Sequence, residues 1–193
     1  MIPLTIGAVY LAAGNSTRFG SNKLLYPIKG EPMFLHGLRI LNQMVQEGVL
    51  DRLVAVTQYP EIMRYAASHS IPARFNPDSS RGISSSISIG LSDLTETDAC
   101  LFLVADQPYL TKSSITSLVT GWIASKKGIG CLSWKGSMGN PVLFSSKYYP
   151  ELFALTGDTG GKKIARKYGE DVWLCEAEQE RELEDVDTRT VTS

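Results

Sequence analysis

The chain has 193 residues, of which 43% are hydrophobic, and a formal net charge of −1. This size and composition are typical of a single globular domain, residues 1–193, with a complete hydrophobic core. The near-neutral charge does not indicate the broad basic face of a nucleic-acid-binding protein, and no apolar run is long enough to span a membrane. The three cysteines lack a C-x-x-C pair, which indicates buried thiols in a cytoplasmic protein. From the charge and the lack of an apolar span, we expect neither a nucleic-acid nor a membrane partner.

The first predicted element is a buried strand that leads into a loop containing glycines and cations. The segment 11–23 holds Gly14, Arg18, Gly20 and Lys23 and precedes a helix. This is the position at which open α/β sheets bind nucleotides. Glycines let backbone N–H groups approach phosphate oxygens, and the two cations balance their charge. The spacing fits neither the dinucleotide fingerprint G-x-G-x-x-G nor the P-loop G-x-x-x-x-G-K-[ST], which excludes both.

Helices and strands alternate along the rest of the chain. Helical periodicity or helix-start signals predict residues 33–47, a short helix after Pro60, a helix with its apolar face at 83, 87, 91 and 94, and helices at 112–125 and 162–168. Strands are predicted at residues 5–11, 53–57, 73–75, 99–104, 129–134 and 172–175, with a hairpin-like turn feeding a short strand near 135–144. The alternation predicts an α/β fold with a mostly parallel sheet covered on both faces.

The serine-rich segment 76–90 runs into one of these helices. Serines at a helix start leave N–H groups that suit an anion or a base edge, although ordinary helix capping would also account for them. Asp158, which precedes another predicted helix, is expected to cap it.

The most apolar predicted strand, 99–104, is followed by Ala105-Asp-Gln-Pro108. A strand that is apolar on both faces is typical of the centre of a parallel sheet. Asp106 therefore lies over the ligand crevice, where a carboxylate and substrate phosphates suit Mg²⁺. A solvated aspartate at a strand end is the alternative.

The chain offers no Ser-His-Asp or Cys-His arrangement, contains only two histidines and lacks a cluster of zinc ligands. Loop N–H groups, Arg18, Lys23 and Asp106 instead fit phosphoryl-type transfer, in which positioning and charge stabilisation do most of the catalysis.

Five motifs occur in order along the chain: L-A-A-G-x-S-x-R-F-G…K at 11–23, G-x-S-x-S at 82–86, A-D-Q-P at 105–108, G-N-P at 139–141 and D-V-D-T at 185–188. Together they resemble the MobA-like NTP transferases, and among these they look most like the molybdenum-cofactor (molybdopterin) cytidylyltransferases. The resemblance implies a single-domain, Rossmann-like, three-layer fold of the nucleotide-diphospho-sugar transferase type.

The resemblance also assigns roles to individual residues. It implies catalysis by Arg18, Lys23 and Asp106, and Mg²⁺ held by Asp106 and Asp187. It implies nucleotide contacts from Leu11, Ala12, Ala13, Gly14, Arg18, Lys23, Gly82, Ser84, Ser86 and Asp106. It implies an acceptor pocket at Gln107, Pro108, Gly139, Asn140 and Pro141.

The implied reaction is attack of an acceptor phosphate monoester on the α-phosphorus of an NTP, with release of pyrophosphate. The second pKa of such a phosphate is about 6, so the nucleophile needs no protein base at neutral pH. By the same resemblance, L-A-A-G favours CTP, the acceptor would be molybdopterin or molybdenum cofactor, and a transient contact with a molybdenum hydroxylase is expected. Two alternatives stay open: a guanylyl- or sugar-phosphate nucleotidyltransferase, and a non-catalytic protein that delivers molybdenum cofactor.

Overall fold

A seven-stranded sheet forms the centre of the computed structural model, which describes residues 4–15 and 22–186. Its strands are β1 (Ile6–Ala12), β2 (Arg52–Thr57), β3 (Ala73–Phe75), β4 (Ala99–Val104), β5 (Ile129–Trp134), β6 (Ser137–Ser145) and β7 (Val172–Glu176). The order across the sheet is β3-β2-β1-β4-β6-β5-β7, and β6 alone runs antiparallel to its neighbours. The predicted, mostly parallel sheet is confirmed.

Within residues 4–15 and 22–186, six α-helices connect or flank these strands: α1 (Met33–Gln46), α2 (Pro60–Ser68), α3 (Ile83–Ser92), α4 (Lys112–Ser125), α5 (Tyr149–Phe153) and α6 (Lys162–Lys167). All but α5 are predicted from the sequence to within a few residues. β6 is longer than the predicted short strand, because residues 137 and 138 already pair with the end of β5 in a hairpin. Among the described residues, no helix is long and apolar enough to cross a bilayer.

Two hydrophobic cores lie on opposite faces of the sheet. Tyr10 and its same-face neighbours on β1 pack with α1, α2 and α4, whereas Val9 and Leu11 pack with α3, α5 and α6. This alternation follows from the two-residue period of a strand. Each buried aliphatic or aromatic side chain contributes roughly 1.5–3 kcal/mol to the free energy of unfolding. The result is the predicted three-layer architecture.

The helix after β1 approaches the sheet closely because it carries a glycine at the contact. A Cβ at Gly37 would lie 2.9 Å from the Tyr10 ring and from a Leu103 methyl group. Tyr10 is fully buried, and its hydroxyl donates to the carbonyl of Phe34 at 2.8 Å. This contact sets α1 closely against β1.

The three cysteines are buried free thiols, as predicted. Burial raises the pKa of Cys100 and brings that of Cys131 to about 11. They are therefore protonated at neutral pH and take the place of small apolar side chains.

Candidate active site

Two cavities in the described part of the chain contain residues predicted to be functional, and the larger cavity opens at the carboxyl ends of β1 and β4. β1 and β4 are neighbours in the sheet. The strands that follow β1 in the chain, β2 and β3, lie on one side of this pair, and the strands that follow β4 lie on the other side. Such a switch point is where open α/β sheets bind ligands. The cavity has a volume of about 630 Å³ and is lined by residues 11, 13–15, 23–24, 79–83, 86, 104–106 and 157–158.

A lysine and an aspartate meet inside this cavity. Lys23 Nζ lies 2.9 Å from Asp106 Oδ2, and the two side chains are 11% and 26% exposed. Lys23 begins a 3₁₀ turn, residues 23–25. The Asn22 side chain caps this turn by accepting a hydrogen bond from the N–H of Leu24. Asp106 follows β4 directly. The structure thus brings together two of the three residues expected to be catalytic.

The negative charge of Asp106 also affects Tyr10, which lies buried on β1. Burial raises the pKa of Tyr10 well above its ordinary value, and the nearby Asp106 carboxylate raises it further. Tyr10 is therefore neutral at pH 7, and its hydroxyl donates to the Phe34 carbonyl.

The predicted loop residues divide into those that line the cavity and those that support it. Leu11, Ala13 and Gly14 line it, whereas Ala12 is completely buried at the end of β1. Arg18 lies outside the described residues. The sequence interpretation missed Asn15, whose only signal is its position between Gly14 and the serine of the loop motif.

A second wall comes from the start of α3 and the loop at Gly157. Gly82 has φ +92, and a Cβ there would lie 2.4 Å from the Gly157 carbonyl carbon and oxygen. The N–H and hydroxyl of Ser84 both donate to that carbonyl oxygen, at 3.3 and 2.7 Å. Ser84 thus joins the two loops, and its predicted contact with a nucleotide stays a prediction.

Ser86 lines the cavity and accepts a hydrogen bond from the buried Asn76 side chain at 2.9 Å. No side chain caps the start of α3, so capping does not account for these serines. Arg81 and Ser79, which the sequence interpretation passed over, line the same wall.

Asp158 does not cap a helix, contrary to the expectation from sequence. The N-cap of α6 is Gly161, and no side chain caps that helix. Asp158 instead lines the larger cavity beside Gly157. The hydrogen bonds from Ser84 to Gly157 hold this loop at the cavity rather than at the helix.

A second cavity has a volume of about 460 Å³ and is lined by residues 107, 134–135, 137–139, 162, 180 and 183–185, so that Asp106 lines the first cavity and the next residue in the chain, Gln107, lines the second. Gln107 and Gly139, both predicted to contact the acceptor, line it. Pro108, Asn140 and Pro141 lie next to them along the chain without lining the cavity, so their predicted acceptor contacts stay untested.

Gln107 fixes the C-terminal segment beside this second cavity. Its Nε2 donates to the Leu183 carbonyl at 3.0 Å and to Asp185 Oδ1 at 2.8 Å, while the N–H of Val186 donates to the Asp106 carbonyl at 2.9 Å. Asp185 was missed, although it is the first acid of D-V-D-T. Asp187 lies outside the described residues, among which no group of three or more metal-ligating side chains occurs.

Comparison with known proteins decides the family. Residues 8–172 match the model of the MobA-like NTP transferase domain. The chain belongs to this family. It is 30% identical to the purine catabolism protein PucB of Bacillus subtilis, over 96% of this chain and 93% of that protein. It is 28% identical to a probable molybdenum cofactor guanylyltransferase of Rhodopirellula baltica, over 62% of this chain and 57% of the other.

Solved structures place the fold in the same class. Rv0371c of Mycobacterium tuberculosis superposes with a TM-score of 0.79 at 23% identity, covering 97% of this chain and 95% of that one. A second structure of Rv0371c is a complex with manganese, with a TM-score of 0.73 at 20% identity and coverage of 90% and 88%. The predicted family membership and nucleotide-diphospho-sugar transferase type of fold are both confirmed.

Proposed function

We propose that this member of the nucleotidyltransferase family transfers CMP from CTP onto the phosphate of molybdopterin or molybdenum cofactor and releases pyrophosphate. One observation carries the proposal: the Lys23–Asp106 pair lines a cavity of about 630 Å³, and the next residue in the chain, Gln107, lines a second cavity of about 460 Å³. Two substrates seated in the two cavities would contact neighbouring residues, Asp106 and Gln107. Transfer between a donor and an acceptor requires this arrangement.

The bond changes are simple. An oxygen of the acceptor phosphate forms a bond to the α-phosphorus of the NTP, the bond from that phosphorus to the bridging oxygen breaks, and pyrophosphate leaves with the electron pair. Because the acceptor phosphate is mostly a dianion at neutral pH, no proton has to be removed. Lys23 would offset the charge that grows on the leaving pyrophosphate, in a cavity whose walls keep that attraction strong. Arg18 would act with Lys23.

The residues present fit Mg²⁺. Mg²⁺ takes one or two carboxylates together with substrate phosphates, and the partly exposed Asp106 carboxylate lies in the cavity proposed for the triphosphate. When bound there, the ion would neutralise phosphate charge beside Asp106. The manganese complex of the structurally similar Rv0371c supports a divalent ion, and Asp187 remains the proposed second ligand.

The choice of CTP rests on L-A-A-G, in which the Ala13 methyl group lies at the cavity wall. A single methyl group discriminates by only about 1–3 kcal/mol. GTP is therefore the second candidate, and the guanylyltransferase name of the R. baltica relative favours it. The same name supports molybdenum cofactor as the acceptor. We also propose that the product passes to a molybdenum hydroxylase in a transient contact.

Pyrophosphate release tests the proposal. The purified protein is incubated with Mg²⁺ and molybdenum cofactor, separately with CTP, GTP, UTP and ATP. Release with CTP alone is the expected result. Release with GTP would overturn the cytidylyl assignment while keeping the reaction. Release only after sugar phosphates replace the cofactor would overturn the acceptor, and tight cofactor binding without any release would favour the delivery protein.

A further inference from the structure

We infer that Gln58 and Tyr59, with Thr57 before them, are positioning residues that turn three consecutive backbone N–H groups of the loop after β1 into the larger cavity, where they bind the phosphates of the nucleotide. The inference rests on the proposed function, since it assumes that an NTP occupies that cavity. It concerns residues that lie behind the loop.

Three neighbouring side chains at the end of β2 donate hydrogen bonds to three successive carbonyl oxygens at the end of β1. Thr57 Oγ1 donates to Ala12 O at 2.8 Å, and Gln58 Nε2 donates to Ala13 O at 2.8 Å. The hydroxyl of Tyr59 donates to Gly14 O. The side chains at 57–59 thus continue the pairing of β1 with β2 after the strands end.

This pairing changes the direction of the backbone. In a regular strand, successive carbonyls alternate between the two neighbours. Leu11 O accepts from Ala105 N at 3.0 Å on the β4 side, and Ala12 O accepts from Thr57 on the β2 side. Alternation would send the next carbonyl, that of Ala13, towards β4. Gln58 and Tyr59 instead hold the carbonyls at 13 and 14 on the β2 side.

The direction of each carbonyl also sets the direction of the next residue's N–H, because a trans peptide places its N–H opposite its C=O. The N–H groups of Ala13, Gly14 and Asn15 therefore point away from β2, towards the crevice in front of β4. All three residues line the larger cavity, as does Lys23. A row of successive N–H groups is an anion-binding concavity, and with a lysine beside it the fitting ligand is a polyphosphate.

A further contact ties the row to the opposite wall. Asn15 Oδ1 accepts from Gln58 Nε2 at 2.9 Å and from Ser79 Oγ at 3.1 Å. Gln58 thus bonds to both the backbone and a side chain of the loop, and Asn15 links it to the segment that precedes α3. Loss of the Gln58 amide would remove both the hydrogen bond to the Ala13 carbonyl and the hydrogen bond to the Asn15 side chain.

The test compares Gln58→Met, Tyr59→Phe and the double variant with wild type. The matched control is Gln43→Met with Tyr65→Phe, since the Gln43 amide donates to exposed Glu47 just after α1, and the Tyr65 hydroxyl accepts from exposed Arg39. Binding of CTP and of inorganic tripolyphosphate is measured by calorimetry, together with kcat, the KM for each substrate and the thermal midpoint.

We expect the double variant to bind CTP and tripolyphosphate about tenfold more weakly, because one or two backbone hydrogen bonds to the charged phosphates would be lost. The KM for CTP should rise in parallel, while the KM for the acceptor and the control variant stay unchanged and the thermal midpoint falls by a few degrees at most. A wild type that binds no NTP contradicts the proposed function. A wild type that binds, with variants whose affinities stay within about twofold, contradicts only this inference. An equal loss in the control, or a loss of affinity that tracks a lowered midpoint even in Tyr59→Phe, also overturns it.

Discussion

Lys23 Nζ lies 2.9 Å from Asp106 Oδ2 in the crevice between β1 and β4, although 83 positions separate the two residues in the chain. A 3₁₀ turn holds the lysine, and the end of a central strand holds the aspartate. Both side chains are partly shielded from water, which reduces screening of their charges. The site therefore presents a group for phosphate and a group for a cation at one point.

The first prediction concerns this pair. Asp106→Asn keeps the volume but replaces the carboxylate by a neutral amide, a poor ligand for Mg²⁺. Lys23→Met removes the charge that offsets the departing pyrophosphate. We expect each change to lower kcat for pyrophosphate release by about 100-fold or more, the cost typical of losing one electrostatic group in an active site. The assay is pyrophosphate release at saturating CTP.

Asp93→Asn is the control for Asp106→Asn, because the Asp93 carboxylate pairs with Arg74 at 2.8 Å, away from both cavities. Its turnover should match wild type. Mg²⁺-dependent turnover that survives in Asp106→Asn and in Asp106→Ala would show that the carboxylate is not the metal ligand.

The second prediction concerns Gly82, whose backbone angles, φ +92 and ψ 178, are accessible to essentially no residue but glycine. In Gly82→Ala the new Cβ would also meet the Gly157 carbonyl group at 2.4 Å. We expect a loss of about 1–3 kcal/mol in the free energy of unfolding, measured in urea. Nucleotide affinity should fall too, because both glycines line the larger cavity.

Gly169→Ala offers a matched comparison, since a Cβ at Gly169 meets nothing within 4 Å and its φ is not positive. Its free energy of unfolding should stay within about 0.5 kcal/mol of wild type. Equal stability of the two variants would mean that the contact between residues 82 and 157 is looser than the structure has it.

Local pattern was sufficient to place Asp106. The residues of β4 are apolar on both faces, which predicts a central strand, and ligands gather at the carboxyl ends of such strands. The pattern of this one strand therefore predicts that the acid following β4 lies at the crevice. Lys23 followed from the loop after β1 in the same way. Both predictions depend only on one strand and on the segment that follows it in the sequence.

Gln58 and Asp158 could not be placed in this way, because their roles depend on contacts between distant segments. Gln58 reaches Ala13 only because β2 lies beside β1 in the sheet, and nothing near residue 58 encodes that order. Asp158 precedes a helix and so resembles a cap. Two hydrogen bonds from Ser84 to Gly157 hold its loop at the cavity instead.

The third prediction separates the acceptor cavity from the nucleotide cavity. Gln107→Met keeps the side-chain length but removes the donor that bonds to the Leu183 carbonyl and to Asp185 Oδ1. We expect the KM for the acceptor to rise about tenfold, or about 1.4 kcal/mol, because the wall formed by residues 183–185 loses its attachment. CTP affinity should change by less than about twofold. Steady-state kinetics with each substrate varied in turn makes the comparison, and an equal change for both substrates would contradict it.

The fourth prediction concerns stability at low pH and lies far from both cavities. Burial opposes the ionisation of Asp171, but hydrogen bonds from Lys147, the Tyr148 hydroxyl and the Gly128 N–H outweigh it and lower the pKa of that carboxyl from 3.8 to about 2. A depressed pKa in the folded state contributes stability above the unfolded-state pKa. That contribution is lost as the pH falls through the folded-state pKa.

Asp171→Asn should therefore be less stable than wild type at pH 7, by about 1–2 kcal/mol after allowing for partial exposure of the side chain. The difference should shrink between about pH 4 and pH 2, where the wild-type carboxylate takes up its proton. Urea unfolding of both proteins at pH 7, 4 and 2.5 measures it, and the difference between the two removes the contribution of other acids. Turnover at pH 7 should match wild type. A stability difference that stays constant down to pH 2.5 would mean that the packing of the side chain, rather than its charge, stabilises the junction of β5 and β7.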